Sequence, residues 1–226
     1  MKDLRLITIT LAMMTFVACG PIQRTRQSED TPVRTPETEN LLINLKKVSA
    51  RGFMFGHHDD TNYGIGWEGD EGRSDVKSVC GDYPAVISFD LGHIELGDTM
   101  SLDKVPFTKI RKEILNQYKR GGMSSLSWHL RNPLTGGDSW DVSDTTVVKS
   151  ILPGGANHEK FTGWVSQVSA FINSLQTEEG VKVPVLFRPW HEHTGSWFWW
   201  GEKLCTPEEY KALWHITVDI LRNDGV

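Results

Sequence analysis

Apolar positions along this chain recur at two spacings that alternate. Leu41, Leu42, Leu45 and Val48 lie on one face of a 3.6-residue repeat and predict a helix, followed by a short apolar strand, Phe53-Met54-Phe55. Ser74 to Val79 reads as a short helix ahead of a strand, Ala85-Val86-Ile87-Ser88-Phe89. Phe107, Ile110, Ile114, Leu115 and Tyr118 mark a longer helix that stops at Gly121-Gly122, before a strand from Met123 to Trp128. Phe161, Trp164, Val165, Val168, Phe171, Ile172 and Leu175 share another helix face, and Val181 to Arg188 follows as a strand. A fifth helix opens at Thr206-Pro207-Glu208-Glu209, a capping box with proline at the first helical position. Strands separated by helices imply parallel pairing and an α/β architecture.

The loops are lopsided. Helix-to-strand turns are brief, as at Gly121-Gly122 or Glu178-Glu179-Gly180, whereas the strand-to-helix loops Gly56 to Arg73, Asp90 to Pro106 and His129 to Asn157 are long and rich in His, Asp, Trp and Gly. Long loops on one face only are the mark of a (β/α)8 barrel. A doubly wound sheet is the alternative, although no Gly-rich phosphate turn follows the first strand. A full barrel takes about 250 residues; this chain has 226, and only four strands are legible in it. About the first half of a barrel is expected.

Ahead of that body, Lys2 and Arg5 precede an apolar run from Leu6 to Val17, too short to span a bilayer and built like a secretory signal. It ends Phe16-Val17-Ala18-Cys19-Gly20, so residues 1–18 are read as a lipoprotein signal peptide and Cys19 as the lipidation site. A cell-envelope location through the lipid anchor is expected, with plain secretion as the alternative. Residues 19–40 are polar and contain Pro and Thr, which suits a tether, and residues 41–226 form the folded domain. With Cys19 lipidated, Cys80 and Cys205 remain, too few for a disulfide framework and expected to be buried thiols. A net charge of −5 with scattered Lys and Arg excludes a nucleic-acid backbone as partner. Nine tryptophans, several beside Gly, Asn or Asp, point to a flat-faced ligand.

The strand ends carry the chemistry. They read Gly56-His57-His58-Asp59-Asp60, Asp90-Leu91-Gly92-His93-Ile94-Glu95, Trp128-His129-Leu130-Arg131-Asn132 and Arg188-Pro189-Trp190-His191-Glu192. In FRPWHEHTGSWFWWG, Phe187 to Gly201, one carboxylate lies between two histidines and beside four tryptophans. Glu192 is the candidate acid/base, since flanking rings that exclude water favour its protonated form, although His191 and Arg188 act against this. Tryptophan faces suit sugar rings; the same segment also admits a packing role for two of its rings. His57-His58 with Asp59-Asp60 offers metal-ligating residue types but reads against a metal site, because adjacent histidines point apart and no HExxH spacing exists. No metal or cofactor is expected. A serine nucleophile needs a GxSxG elbow, which is absent. Glu68, Asp70 and Glu71 read as a solvated loop, and Asp138 and Asp141 as turn residues.

FRPWHEHTGSWFWWG, together with MFGHHDDTNYGIGW, GDYPAVISFDLGHIE and SWHLRNPLTGGDSWD, resembles glycoside hydrolase family 26, best known for endo-1,4-β-mannanases. The resemblance runs from Leu41 to the end. It implies a (β/α)8 barrel with the acid/base Glu at the end of strand four and a nucleophile Glu at the end of strand seven. Glu192 is then the proton donor, His191 its neighbour at the cleavage subsite, Trp197 a sugar-stacking platform, His129 a substrate-contacting histidine and Glu95 a substrate contact after strand two. The implied partner is a β-mannan-type polysaccharide, cleaved with retention. No residue of this chain matches the nucleophile, so the chain alone is expected to be inactive. A non-catalytic surface glycan-binding lipoprotein, or a family 26 enzyme acting on β-glucan or β-1,3-xylan, are the alternatives.

Overall fold

The structure, a computed structural model, describes residues 34–226. The signal segment, Cys19 and all but the last residues of the expected tether lie outside the described residues. Helix α1 (Pro36–Ser49) opens inside the stretch read as tether: Thr35 caps it by accepting the Thr38 N–H at 3.2 Å, with Pro36 in the first turn. The folded body therefore starts ahead of Leu41. None of the residues of α1 is buried, and its apolar face is only half covered.

Strand β1 (Gly56–His58) follows, then a small antiparallel hairpin of β2 (Tyr63–Gly64) and β3 (Trp67–Glu68), and helix α2 (Asp75–Cys80). Next come β4 (Val86–Asp90), α3 (Phe107–Lys119), β5 (Met123–Ser127), α4 (Val147–Ile151), α5 (His158–Asn173), β6 (Leu186–Arg188) and α6 (Pro207–Asn223). β1, β4, β5 and β6 pair in that order into one four-stranded sheet, all parallel. Helices cover its outer face, so the sheet is an arc of a barrel with β1 and β6 as its outermost strands among the described residues.

Two strands differ from the apolar pattern. The first sits at Gly56–His58 rather than Phe53–Phe55: pairing with β4 starts at Gly56, opposite Val86, and Phe53 and Phe55 are 88% and 56% exposed. A Cβ at Gly56 would press on the Val86 side chain at 3.2 Å, so close strand approach favours glycine there. The last strand shrinks from Val181–Arg188 to Leu186–Arg188. Val183 instead donates its N–H to Leu175 at 2.8 Å, and Thr177 donates to Val181 at 3.0 Å, tying the apolar run to the end of α5.

The core lies between the sheet and α3, α5 and α6. Ile87, Phe89 and Leu126 from the sheet meet Ile110, Ile114, Phe161, Val165 and Leu213, all fully buried. Each such side chain contributes roughly 1.5–3 kcal/mol. Trp128, Trp190, Trp199 and Trp200 are also fully buried, so the tryptophan excess is partly core. Among the described residues, no helix is long and apolar enough to cross a membrane. Cys80 and Cys205 are free, and neither is fully buried: Cys205 is half-buried, and Cys80 is exposed at the end of a short helix whose Val79 is itself 88% exposed.

Candidate active site

Parallel pairing sends all four strand C-termini to one rim. There the chain leaves β6 through a turn that few side chains favour: Trp190 has φ 54° and Glu192 φ 55°, both in the left-handed region. Several bonds hold it. Tyr210 donates its hydroxyl to the Trp190 carbonyl at 2.7 Å, the Trp190 indole donates to Thr217 Oγ1 at 3.2 Å, and the Trp200 indole donates to the His191 carbonyl at 2.9 Å. The buried rings thus do more than fill volume, since they pin the two residues that lead into Glu192.

Glu192 itself is exposed. The neighbouring rings turn inward, so they do not enclose the carboxyl as the sequence suggested. One ring does reach it: the Trp197 indole, 49% exposed, donates to Glu192 Oε2 at 2.9 Å. Gly195 is required beneath it, because a Cβ there would overlap the Trp197 indole.

His191 is buried beside Glu192, and its Nε2 lies 3.0 Å from His129 Nε2. His129 Nδ1 is bonded to Asp90 Oδ2 at 2.6 Å. Both nitrogens of His129 are therefore engaged within the protein. Its ring stacks on Trp140 at 5.3 Å with an interplanar angle of 5°. Trp140 is 51% exposed and gives the site a second open aromatic face. Phe198, 2% exposed, touches Trp140, His129, His191 and Trp197, and so ties the two open faces to the histidine pair.

The expected contact Glu95 is placed differently. It is 5% exposed, with Oε2 accepting the Trp128 indole N–H at 3.0 Å and Oε1 accepting the Arg131 N–H at 2.8 Å. Burial pushes its carboxyl up, against those two bonds. It braces the start of the loop after β5 rather than facing the cleft.

At the β1 edge the adjacent histidines do point apart. His57 Nδ1 lies 3.8 Å from Asp60, whereas His58 Nδ1 bonds Ser88 Oγ at 2.7 Å and its Nε2 faces Asp59 at 3.1 Å. His58, Asp59 and Asp103 bring ligand atoms within 4.8 Å of one another, the one such group among the described residues. Burial and the charges of Asp59 and Asp103 push Tyr63 up to about 12. This corner is negatively charged and closes on itself through His58.

Sequence reasoning thus brought Glu192, His191, His129 and Trp197 together at one rim. It missed Trp140, Phe198 and Asp103 as members of this rim. Trp140 carried a signal, an aromatic in the turn Gly137-Asp138-Ser139-Trp140-Asp141; nothing in the pattern marks Asp103, which only the loop's path brings to His58.

The profile of glycosyl hydrolase family 26 matches residues 31–225 of this chain. Among curated relatives, a mannan endo-1,4-β-mannosidase of Bifidobacterium adolescentis is 34% identical over 84% of this chain and 19% of its own length. One of Bacillus subtilis is 27% identical over 74% of this chain and 45% of its own. Among solved structures, a GH26 β-mannanase from Bacteroides ovatus superposes with a TM-score of 0.84 at 65% identity, over 85% of this chain and 56% of that one. A Cellulomonas fimi endo-β-1,4-mannanase gives 0.77 at 34% identity, over 85% and 44%. The chain spans about half, or less, of the length of these relatives, and the arc of four strands is a partial barrel of their type. Matched along nearly all of its described length, the chain belongs to glycosyl hydrolase family 26.

Proposed function

We propose that residues 34–226 form the acid/base half of a β-mannan-hydrolysing site, with Glu192 as the proton donor to the leaving glycosidic oxygen. The observation that carries this is the carboxyl of Glu192, held at the strand-end rim by a pinned left-handed turn and fixed at one oxygen by the Trp197 indole. The indole bond on Oε2 leaves Oε1 to carry the proton. Trp197 and Trp140 offer open faces on which sugar rings stack while hydroxyls bond at the edges. The names of the relatives support mannan as the glycan and β-1,4 as the linkage.

Retention needs a second carboxyl about 5–5.5 Å from the first, to form the glycosyl-enzyme. Asp90 and Glu95 are tied up by internal hydrogen bonds. We place the nucleophile outside residues 34–226, so the chain by itself binds and does not cleave. Cleavage of mannohexaose by the purified chain would contradict that assignment. In a protein that supplies the second carboxyl, E192Q is expected to lower turnover by about 10²–10⁴-fold while leaving affinity in place. Lipidation at Cys19, with an envelope location, is part of the proposal; palmitate labelling that survives C19A would refute it.

A further inference from the structure

Asp90, His129 and His191 form a hydrogen-bonded chain leading to the residue beside Glu192. Asp90 Oδ1 accepts the backbone N–H groups of Gly92 at 2.7 Å and His129 at 3.2 Å; Oδ2 accepts Ser127 Oγ and His129 Nδ1, both at 2.6 Å. Burial alone would push this carboxyl up, but the hydrogen bonds it accepts, from His129 first and then Ser127 and Gly92, bring it down to about 2. Asp90 is ionised and has no proton to give, so the contact requires a proton on His129 Nδ1. One proton then lies between the two Nε2 atoms, 3.0 Å apart. With the His129 ring neutral, that proton belongs to His191.

The far side of His191 agrees. Its Nδ1 is buried with no hydrogen-bond partner, among the rings of Phe198 and Trp200. A proton there would be a buried donor without an acceptor, an arrangement folded proteins avoid. Burial is the first cause that pushes its imidazole down, to about 4, which keeps the ring neutral.

We propose that Asp90 is a positioning residue, the anchor of a relay Asp90–His129–His191 that fixes His191 as the neutral Nε2–H tautomer and keeps positive charge away from the Glu192 carboxyl. This rests on the reading of Glu192 as the acid. A general acid must hold its proton until the leaving oxygen takes it, and an adjacent imidazolium favours the ionised carboxylate.

The test is imidazole ¹⁵N NMR on the whole chain, at neutral and mildly acidic pH. Wild type is expected to show His129 protonated on Nδ1 and His191 on Nε2. In D90N, the amide oxygen takes over the two backbone N–H groups and its NH₂ faces His129 Nδ1, as an asparagine does at the end of such a chain. Both tautomers then invert, placing the His191 proton on Nδ1. H129F, which keeps a ring against Trp140 and Phe198 but no nitrogen, is expected to abolish the single tautomer of His191. A wild-type His191 protonated on Nδ1 would overturn the relay, and so would a folded D90N or H129F with the tautomer of His191 unchanged. The wild-type spectrum decides even where a variant fails to fold. Full turnover by E192Q in a protein carrying the second carboxyl would instead sink the acid assignment and leave the tautomers untouched.

Discussion

Glu192 occupies backbone that side chains avoid, and the residues around it are spent on keeping it there. Two left-handed positions at Trp190 and Glu192 cost of order 1–3 kcal/mol each. The hydroxyl of Tyr210 on the Trp190 carbonyl is one of the restraints. Y210F is expected to lower stability by about 1 kcal/mol and to lower the unfolding midpoint accordingly; an unchanged melting curve would remove that bond from the account. His191 and Asp90 also set the response to acid. His191 titrates near 4 when folded, against about 6.5 when unfolded, so the unfolded chain binds the extra proton and stability falls as pH drops from about 6.5 to 4. Asp90, near 2 when folded and about 3.9 unfolded, contributes stability that is present above about 3.9 and lost as pH falls toward 2. Denaturant titrations across pH should show both windows, and H191F should flatten the upper one alone. An upper window unchanged in H191F would contradict its assignment to this ring.

At the scale of elements, what could be read from the chain was whatever local physics decides. The start of α6 is an example: Thr206 accepts the Glu209 N–H at 3.2 Å and Glu209 accepts the Thr206 N–H at 2.9 Å, the reciprocal box that the sequence spells out. T206A is expected to cost about 1 kcal/mol, read as a lower thermal midpoint with the same far-ultraviolet spectrum. The strands were less legible where tertiary pairing overrides apolarity. Phe53-Met54-Phe55 has the composition of a strand, yet the sheet register begins at Gly56, opposite Val86, where a Cβ would press on the Val86 side chain. Val181 to Val183 likewise looks like strand but bonds to the segment that follows α5. The surroundings of Glu95 are illegible for a similar reason. Its place after a strand suggested the cleft, and only the fold shows the Trp128 indole and the Arg131 amide taking its two oxygens.

At the scale of the whole molecule, β1 and β6 are each paired on one side among the described residues. Phe55 and Leu186 stand 56% and 42% exposed along those edges. Exposed apolar edges template association, so the purified chain should self-associate with rising concentration, and F55K with L186K should reduce light scattering without unfolding it. Scattering unchanged by both substitutions would place the association elsewhere. The site belongs to this scale as well. The bond between the proposed acid Glu192 and the proposed platform Trp197 joins residues that sit in one run of sequence. Trp140 and Asp90 join them only through parallel pairing and a long loop, at separations no local pattern records.

Isothermal titration of the chain with β-1,4-mannohexaose tests the central claim most directly. The account predicts saturable binding that E192Q leaves within about twofold and that W197A weakens about tenfold, the equivalent of roughly 1.4 kcal/mol of lost stacking. Absence of binding, or binding indifferent to W197A, would contradict a sugar site at this rim.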